Sequence, residues 1–178
     1  GMVCHETYKS ENNQWLSPDE VITIDGQKFE KNNKSRKVTV GASESMSKSK
    51  KNTIDPEDII NNYGADSARL FILSDSPPEK DGQWSDEGIS SSHKFIQKLW
   101  QLDQIISEEI SRDHDEDPKN NLSKYTNQYL KKMTENLTNF SYNKLIANLH
   151  EMYSFLSHEI KKNYTKKTII ENYSKILI

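Results

Sequence analysis

The sequence of 178 residues has few cysteines, prolines, glycines and apolar side chains. Its one cysteine, Cys4, has no partner within the chain, which excludes an internal disulfide framework and suits a reducing compartment. No apolar run approaches the length of about 18 residues that a membrane-spanning helix needs. The first residues also show no charged block followed by an apolar block, so they do not form a secretory signal. We therefore predict a cytoplasmic protein without contact to a membrane.

The apolar content, 33% of the residues, is low for a chain that builds a complete core by itself. An ordinary globular domain contains about 45–50% when glycine is counted. Three Trp, eight Tyr and five Phe still allow an ordered core. The chain also ends on three apolar residues, 176–178, within a helical pattern. We interpret it as a segment of a larger protein, truncated on both sides.

No single sign of charge dominates, since the formal net charge is −3, and this argues against general binding to polyanions. The distribution is uneven, however. Residues 28–51 contain eight basic and two acidic side chains, a net charge of +6. Residues 75–87 contain one basic and five acidic side chains, a net charge of −4. A solvated surface explains such runs equally well, so charge alone assigns no partner.

Short strands and turns are predicted for residues 3–8 and 14–40. Asp25-Gly26 follows a β-branched run and is typical of a two-residue hairpin, because both positions accept a positive φ. A brief strand at 38–40 is predicted to end at Gly41. Together these segments predict a small antiparallel β module.

Helices are predicted from residue 55 onward. Asp55 with Pro56 predicts the start of a first helix that ends before Gly64, and Asp66 can cap a second. Ser85 can cap a long third helix with an apolar stripe. Ser141 and Thr165 are predicted to cap two further helices. Between the long helix and Ser141, another helix is predicted from the apolar stripe of Tyr125, Tyr129, Met133 and Leu137.

The predicted fold class is therefore α+β, a small antiparallel β module and a loop segment followed by an antiparallel helical bundle. Three parts are expected along the chain. Residues 1–42 form the β module, residues 43–80 the loop with its linking helices, and residues 81–178 the bundle.

The loop at residues 41–53 is polar and lacks periodicity, and only Met46 could be anchored in a core. We expect it to be mobile without a ligand. Serine hydroxyls, lysine ammonium groups and exposed backbone N–H groups suit a polyphosphate. A lysine on a mobile loop can bind charge that develops in a transition state. Most such loops are nevertheless solvated linkers, and the residue types alone leave both interpretations open.

Ser45, Met46, Ser47, Lys48 and Ser49 resemble the KMSKS loop of class I aminoacyl-tRNA synthetases. The residues after this loop are similar to the leucine, isoleucine and valine enzymes, and further stretches resemble bacterial-type leucyl-tRNA synthetases in particular. Residues 50–56 and 63–71 carry the similarity to the three enzymes. The stretches that resemble bacterial-type leucyl-tRNA synthetases are residues 1–3 with 15–18, 77–81 with 84–86, and Gly88 with 93–95 and Trp100, and a last stretch is residues 140–149. The last stretch resembles the anticodon-binding helices of that family.

The resemblance implies a part of an enzyme that activates leucine with ATP and transfers it to the 3′ end of leucine tRNA. Within it, Lys48 would be catalytic, and Met46, Ser47, Lys48 and Ser49 would bind ATP with its Mg²⁺. Ser45 replaces the first lysine of the family loop, and either Lys50 or Lys51 could supply that charge or the enzyme would be slower. The resemblance also implies that the remaining catalytic and editing domains are partners of this segment, that the enzyme is a monomer, and that the isolated segment is inactive.

Other interpretations receive less weight. Cys4-His5 offers two neighbouring metal ligands where zinc needs about four, and residues 113–117 lack the rhythm of a calcium loop, so no metal site is predicted. Trp84 and Trp100 are expected to pack between the loop segment and the bundle. The main alternative function is a stand-alone helical module that binds RNA or a protein without catalysis. A sister enzyme for isoleucine, valine or methionine is a nearer alternative.

Overall fold

The structure, a computed structural model, describes residues 1–112, 114 and 122–177, with side chains up to residue 175. Most of the acidic run at residues 113–117 lies outside the described residues. The described elements include seven β-strands: β1 (Val3–Lys9), β2 (Trp15–Leu16), β3 (Val21–Ile24), β4 (Gln27–Glu30), β5 (Asn33–Lys37), β6 (Thr39–Ser45) and β7 (Gly82–Gln83). They also include six α-helices: α1 (Pro56–Tyr63), α2 (Ala65–Asp75), α3 (Asp86–Ser111), α4 (Leu122–Thr138), α5 (Tyr142–Glu159) and α6 (Lys166–Leu177). The predicted α+β class is confirmed.

The β portion consists of two sheets. In the first, β6 pairs antiparallel along one edge of β1, while β2 and β7 share the other edge. The pairing of β7 with β1 is parallel, and the two helices α1 and α2 lie between β6 and β7 along the chain. The second sheet is the antiparallel meander β3-β4-β5. Its hairpin turns at Asp25 and Gly26, whose φ angles are 49° and 76°, so the predicted turn is confirmed.

The predicted end of a strand at Gly41 is wrong, because β6 continues through this residue to Ser45. The register between β1 and β6 shifts between Glu6 and Tyr8, which places a bulge near Thr7. A Cβ atom on Gly41 would overlap the Thr7 side chain. Glycine here allows two strands to approach closely and does not end one.

The first two helices follow each other without a linker. The Asp55 carboxylate accepts the Glu57 N–H at 2.9 Å and caps α1, as predicted. Gly64, with a φ of 83°, ends α1 and starts α2 directly. Asp66 therefore lies inside the first turn of α2, where it pairs with Arg69 at 2.8 Å, and its predicted capping role is wrong.

The bundle formed by α3 to α6 buries one continuous apolar cluster. Its members are Leu102, Ile106, Leu122, Met152, Leu156, Ile160, Tyr164, Ile169 and Tyr173. On α4 the inward stripe is Leu122, Thr126, Tyr129 and Met133, so the predicted stripe is rotated: Tyr125 and Leu137 are exposed. A polar threonine occupies one inward position, which hid the true phase of the helix.

The α2–α3 joint connects the β portion to the bundle. Phe71 on α2 is buried, and the Trp84 ring packs edge-on against it with centroids 5.3 Å apart. The predicted packing role of Trp84 is confirmed, whereas Trp100 is 68% exposed and does not pack there. None of the described helices is long and apolar enough to cross a membrane.

Candidate functional site

The loop predicted to bind phosphates leaves the first sheet at the end of β6. Ser45 is the last residue of this strand and lies opposite Cys4 on β1. The Met46 N–H donates to the Val3 carbonyl at 3.2 Å, so the loop remains attached to β1 through its first residue. From there the chain makes a 3₁₀ turn, Lys48–Lys50, before it reaches α1.

The loop closes on itself through Ser47. The Lys50 N–H donates to Ser47 Oγ at 3.4 Å, and the Ser47 and Ser49 hydroxyl oxygens are 3.3 Å apart. Lys51 adopts a left-handed conformation with a φ of 53° and donates its N–H to the Lys48 carbonyl at 3.3 Å. These contacts hold the predicted binding residues Ser47, Lys48 and Ser49 together in one turn.

Asn52 anchors the base of the loop and is fully buried. Its Oδ1 accepts the Ser47 N–H at 2.8 Å. Its Nδ2 donates to the carbonyls of Glu44 at 3.1 Å and His5 at 3.2 Å, with the Ser45 carbonyl at 3.5 Å. The expectation that only Met46 could be anchored is therefore wrong, because a polar side chain does the anchoring through hydrogen bonds.

The three lysines of the loop differ in their partners. The Lys50 ammonium pairs with the Glu44 carboxylate, and the Lys51 ammonium lies 3.5 Å from the Glu20 carboxylate. Lys48 is exposed, and within the described part of the chain its ammonium has neither an ion pair nor a hydrogen bond. Lys48 is thus the loop cation that can meet an anionic ligand without first leaving a carboxylate.

The partner of Lys51 is itself held in its charged form. Glu20 Oε2 accepts the Ser17 N–H at 2.8 Å and the Ser17 hydroxyl at 2.9 Å. These bonds, the backbone one first, lower the pKa of the Glu20 carboxyl below its ordinary value, and Lys51 adds to the effect. The carboxylate next to Lys51 is therefore ionised at neutral pH.

The resemblance predicted from the sequence assigns the position of the first loop lysine to Ser45. Its hydroxyl oxygen lies 4.0 Å from Cys4 Sγ, at the edge of the sheet. The ammonium groups of Lys50 and Lys51 both engage carboxylates in this arrangement. For Lys50 or Lys51 to supply the charge of that first lysine, its ion pair with Glu44 or Glu20 would have to open.

Sequence reasoning proposed Lys48 and its neighbours as site residues and did not name Asn52 or Glu20 or the ion pair of Glu44. Asn52 lies in a polar run, and the carbonyl groups it binds come from residues as far as 47 positions away. Only the Ser17–Glu20 pair left a local signal, the spacing of a capping box. Among the described residues, no group of three or more His, Cys, Asp or Glu side chains could hold a metal ion.

Comparisons with known proteins relate the chain to one family of enzymes. A model of the family described as tRNA synthetases class I (I, L, M and V) matches residues 36–85, which include the loop. The leucine–tRNA ligase of Rickettsia bellii is 44% identical over 91% of this chain and 19% of that protein. The leucine–tRNA ligase of Wolbachia pipientis from Culex pipiens is 41% identical over the whole chain and 21% of that protein. The chain thus spans about a fifth of the length of these relatives.

A solved structure shares the fold. It is the LeuRS of Agrobacterium radiobacter K84 in a ternary complex with tRNA and LeuAMS, with a TM-score of 0.62 and 20% identity over 75% of this chain and 18% of that one. The chain is therefore related to the class I synthetases. Within that class it corresponds to a segment of the leucine–tRNA ligases, and the resemblance predicted from the sequence is confirmed.

Proposed function

We propose that this chain is the part of a bacterial-type leucine–tRNA ligase that supplies a phosphate-binding lysine, Lys48, for the activation of leucine. The observation that carries the proposal is the exposed Lys48 ammonium, which has no carboxylate partner in the described residues and lies on a loop anchored at its base. The relation to leucine–tRNA ligases supports the choice of amino acid.

The proposed reaction has two steps. A carboxylate oxygen of leucine attacks the α-phosphorus of ATP, the bond to the bridging oxygen breaks, and pyrophosphate leaves with its negative charge. A hydroxyl oxygen at the 3′ end of leucine tRNA then attacks the carbonyl carbon of the adenylate. The mixed-anhydride C–O bond breaks, AMP leaves, and the hydroxyl proton is released. An ammonium that meets the leaving pyrophosphate stabilises the transition state more than bound ATP, and this difference accelerates the first step.

The neighbours of Lys48 would support the nucleotide. The Ser47 and Ser49 hydroxyls can donate to phosphate oxygens, since among the described residues Ser47 Oγ accepts the Lys50 N–H and contacts Ser49 Oγ. Met46 would contribute apolar contact beside them. Mg²⁺ would arrive with ATP as part of the substrate.

The three parts of the chain receive separate roles in this proposal. Residues 1–42 would belong to the end of the catalytic domain and a leucine-specific insertion. Residues 43–80 would carry the loop and the linking helices, and residues 81–178 would be part of the anticodon-binding helical domain. The ligase would be a cytoplasmic monomer.

The test is Lys48→Ala in the full-length ligase that contains this segment. Removing one donor to developing charge typically costs about 10²–10³ in kcat. We therefore expect leucine-dependent ATP–pyrophosphate exchange to fall at least about a hundredfold. Lys34→Ala, which removes an exposed lysine of β5 outside the loop, is the matched control. Near-normal exchange by Lys48→Ala would refute the role of Lys48.

Two further measurements complete the test. Lys50→Ala and Lys51→Ala, assayed in the same way, show which lysine replaces the charge that Ser45 lacks. The isolated 178-residue chain is expected to form no leucyl-adenylate, because the proposed function assigns the leucine pocket to the rest of the ligase. Adenylate synthesis by the isolated chain would contradict this assignment.

A further inference from the structure

We infer that Asn52 is a positioning residue for Lys48 and sets where its ammonium lies during leucine activation. This inference rests on the proposed function, since it concerns the same lysine. It starts from the one fully buried polar side chain at the base of the loop.

The Asn52 carboxamide connects three segments of backbone. Its Nδ2 group holds β1 through the His5 carbonyl and the end of β6 through the Glu44 carbonyl. Its Oδ1 holds the loop through the Ser47 N–H at 2.8 Å. Because the side chain is 0% exposed, water does not compete for these bonds. The Ser47–Asn52 contact therefore closes the loop into a ring of six residues.

Closure at this point determines how Lys48 can move. Lys48 follows Ser47 directly, so its Cα is one residue away from the anchored N–H. The rest of the turn is held by weaker contacts, such as the Lys50 N–H to Ser47 Oγ at 3.4 Å. Movement of the loop toward a nucleotide would thus pivot about Ser47 and Asn52, while both ends stay fixed to the sheet.

Only an asparagine makes all of these contacts. An aspartate offers an acceptor to the Ser47 N–H but has no donor, and its charge would face the His5 and Glu44 carbonyl oxygens. An alanine leaves one buried N–H and two carbonyls without their partner. A glutamine is one methylene longer and would overpack a site where the asparagine is already fully buried.

Loss of the anchor should lower kcat more than it changes the KM for ATP. Misplacing a catalytic group by about 1 Å can cost about a hundredfold in rate. The proposed contact between Lys48 and the transition state depends on the position of the Lys48 ammonium, which the anchor sets. We expect Asn52→Ala to reduce the kcat of leucine-dependent pyrophosphate exchange about 10- to 100-fold, with a much smaller change in KM.

The experiment is a double-mutant cycle in the full-length ligase with Lys48→Ala, Asn52→Ala and the double variant. If Asn52 acts through Lys48, the double variant is no slower than Lys48→Ala alone. If Asn52 only stabilises the fold, the two losses multiply, and the inference is overturned. Asn62→Ala, an exposed asparagine on α1, is the matched control and should keep full activity. If Asn52→Ala does not fold, Asn52→Asp takes its place in the cycle.

A second measurement separates this inference from the proposed function. Amide hydrogen exchange at Ser47 should accelerate at least about tenfold in Asn52→Ala, because its hydrogen bond is lost. Unchanged exchange at Ser47, or normal activity of Asn52→Ala beside an inactive Lys48→Ala, overturns the positioning role alone. Normal activity of Lys48→Ala overturns the proposed function, and the positioning role with it.

Discussion

The helical bundle and the β portion are stabilised in different ways. The bundle encloses nine buried side chains that form one apolar cluster across α3 to α6. Residues 1–53, all of which the structure describes, bury only Cys4, Tyr8 and Val38 among their apolar side chains. The same residues bury three polar side chains, His5, Thr7 and Asn52. The β portion thus relies on hydrogen bonds where the bundle relies on apolar contact.

This difference indicates that the bundle contributes most of the stability, whereas the β portion fixes the geometry of the candidate site. Apolar burial contributes a large free energy but is non-directional. A hydrogen bond adds only about 0.5–1.5 kcal/mol net, but it fixes distances and angles. The part that carries the candidate site uses the directional contacts. Substitutions in the bundle should therefore change stability most, and substitutions in the β portion should change the site more than the fold.

The largest effect is expected in the bundle core. Leu156 on α5 is 1% exposed, and Leu156→Ala removes buried methyl groups and leaves a cavity. We expect a loss of about 2–5 kcal/mol in the free energy of unfolding. Leu137→Ala on α4, where the side chain is 55% exposed, should change it by less than about 0.5 kcal/mol. Urea unfolding followed by helical circular dichroism measures both, and equal effects would contradict a single apolar core.

A smaller effect is expected at the joint between the two regions. A Cβ atom on Gly88 at the start of α3 would overlap the Phe71 ring of α2. Overpacking of this kind costs about 1–3 kcal/mol, which is the loss expected for Gly88→Ala. Phe71→Leu, introduced together with it, should recover part of the loss, because the smaller side chain makes room. If the two losses in the free energy of unfolding are additive in thermal or urea unfolding, the residues do not clash, and the explanation by overpacking is wrong.

The local features of the fold could be predicted because a few neighbouring residues determine them. The turn at Asp25 and Gly26 and the caps at Asp55 and Ser85 each depend on contacts within three residues. In each case the sequence signal and the physical cause are the same short segment. The α+β class followed from these elements.

Several of the wrong expectations involve partners that are distant in the sequence. Gly41 ends no strand because Thr7 on β1 approaches it, and Asn52 is buried because carbonyls of two strands surround it. The inward face of α4 depends on α5 and α6, which a helical pattern alone does not show. The exposed position of Lys48 agrees with its proposed role, while the anchor beneath it could be found only from the structure.

The smallest effect is expected from a carboxylate beside the loop, and it depends on pH. The Ser17 hydrogen bonds lower the pKa of Glu20 in the folded protein, so the charged form stabilises the fold at neutral pH. This contribution is present above the ordinary glutamate pKa of about 4.3 and is lost as the pH falls through the lowered value. Glu20→Gln should be less stable than the unmodified chain at pH 7, by less than about 1 kcal/mol because the side chain is partly exposed.

Measured from pH 7 to pH 3, the urea midpoints of the two proteins should therefore converge. A difference that stays constant or grows toward acid pH would contradict the assignment. Lys51→Ala separates the two sources of the effect, because the Ser17 N–H is the largest cause of the lowered pKa and Lys51 a lesser one. The convergence should survive this substitution almost unchanged. If it disappears instead, the ion pair of Lys51 with Glu20 governs the pH response, and the β portion beside the loop is stabilised by charge more than by directed hydrogen bonds.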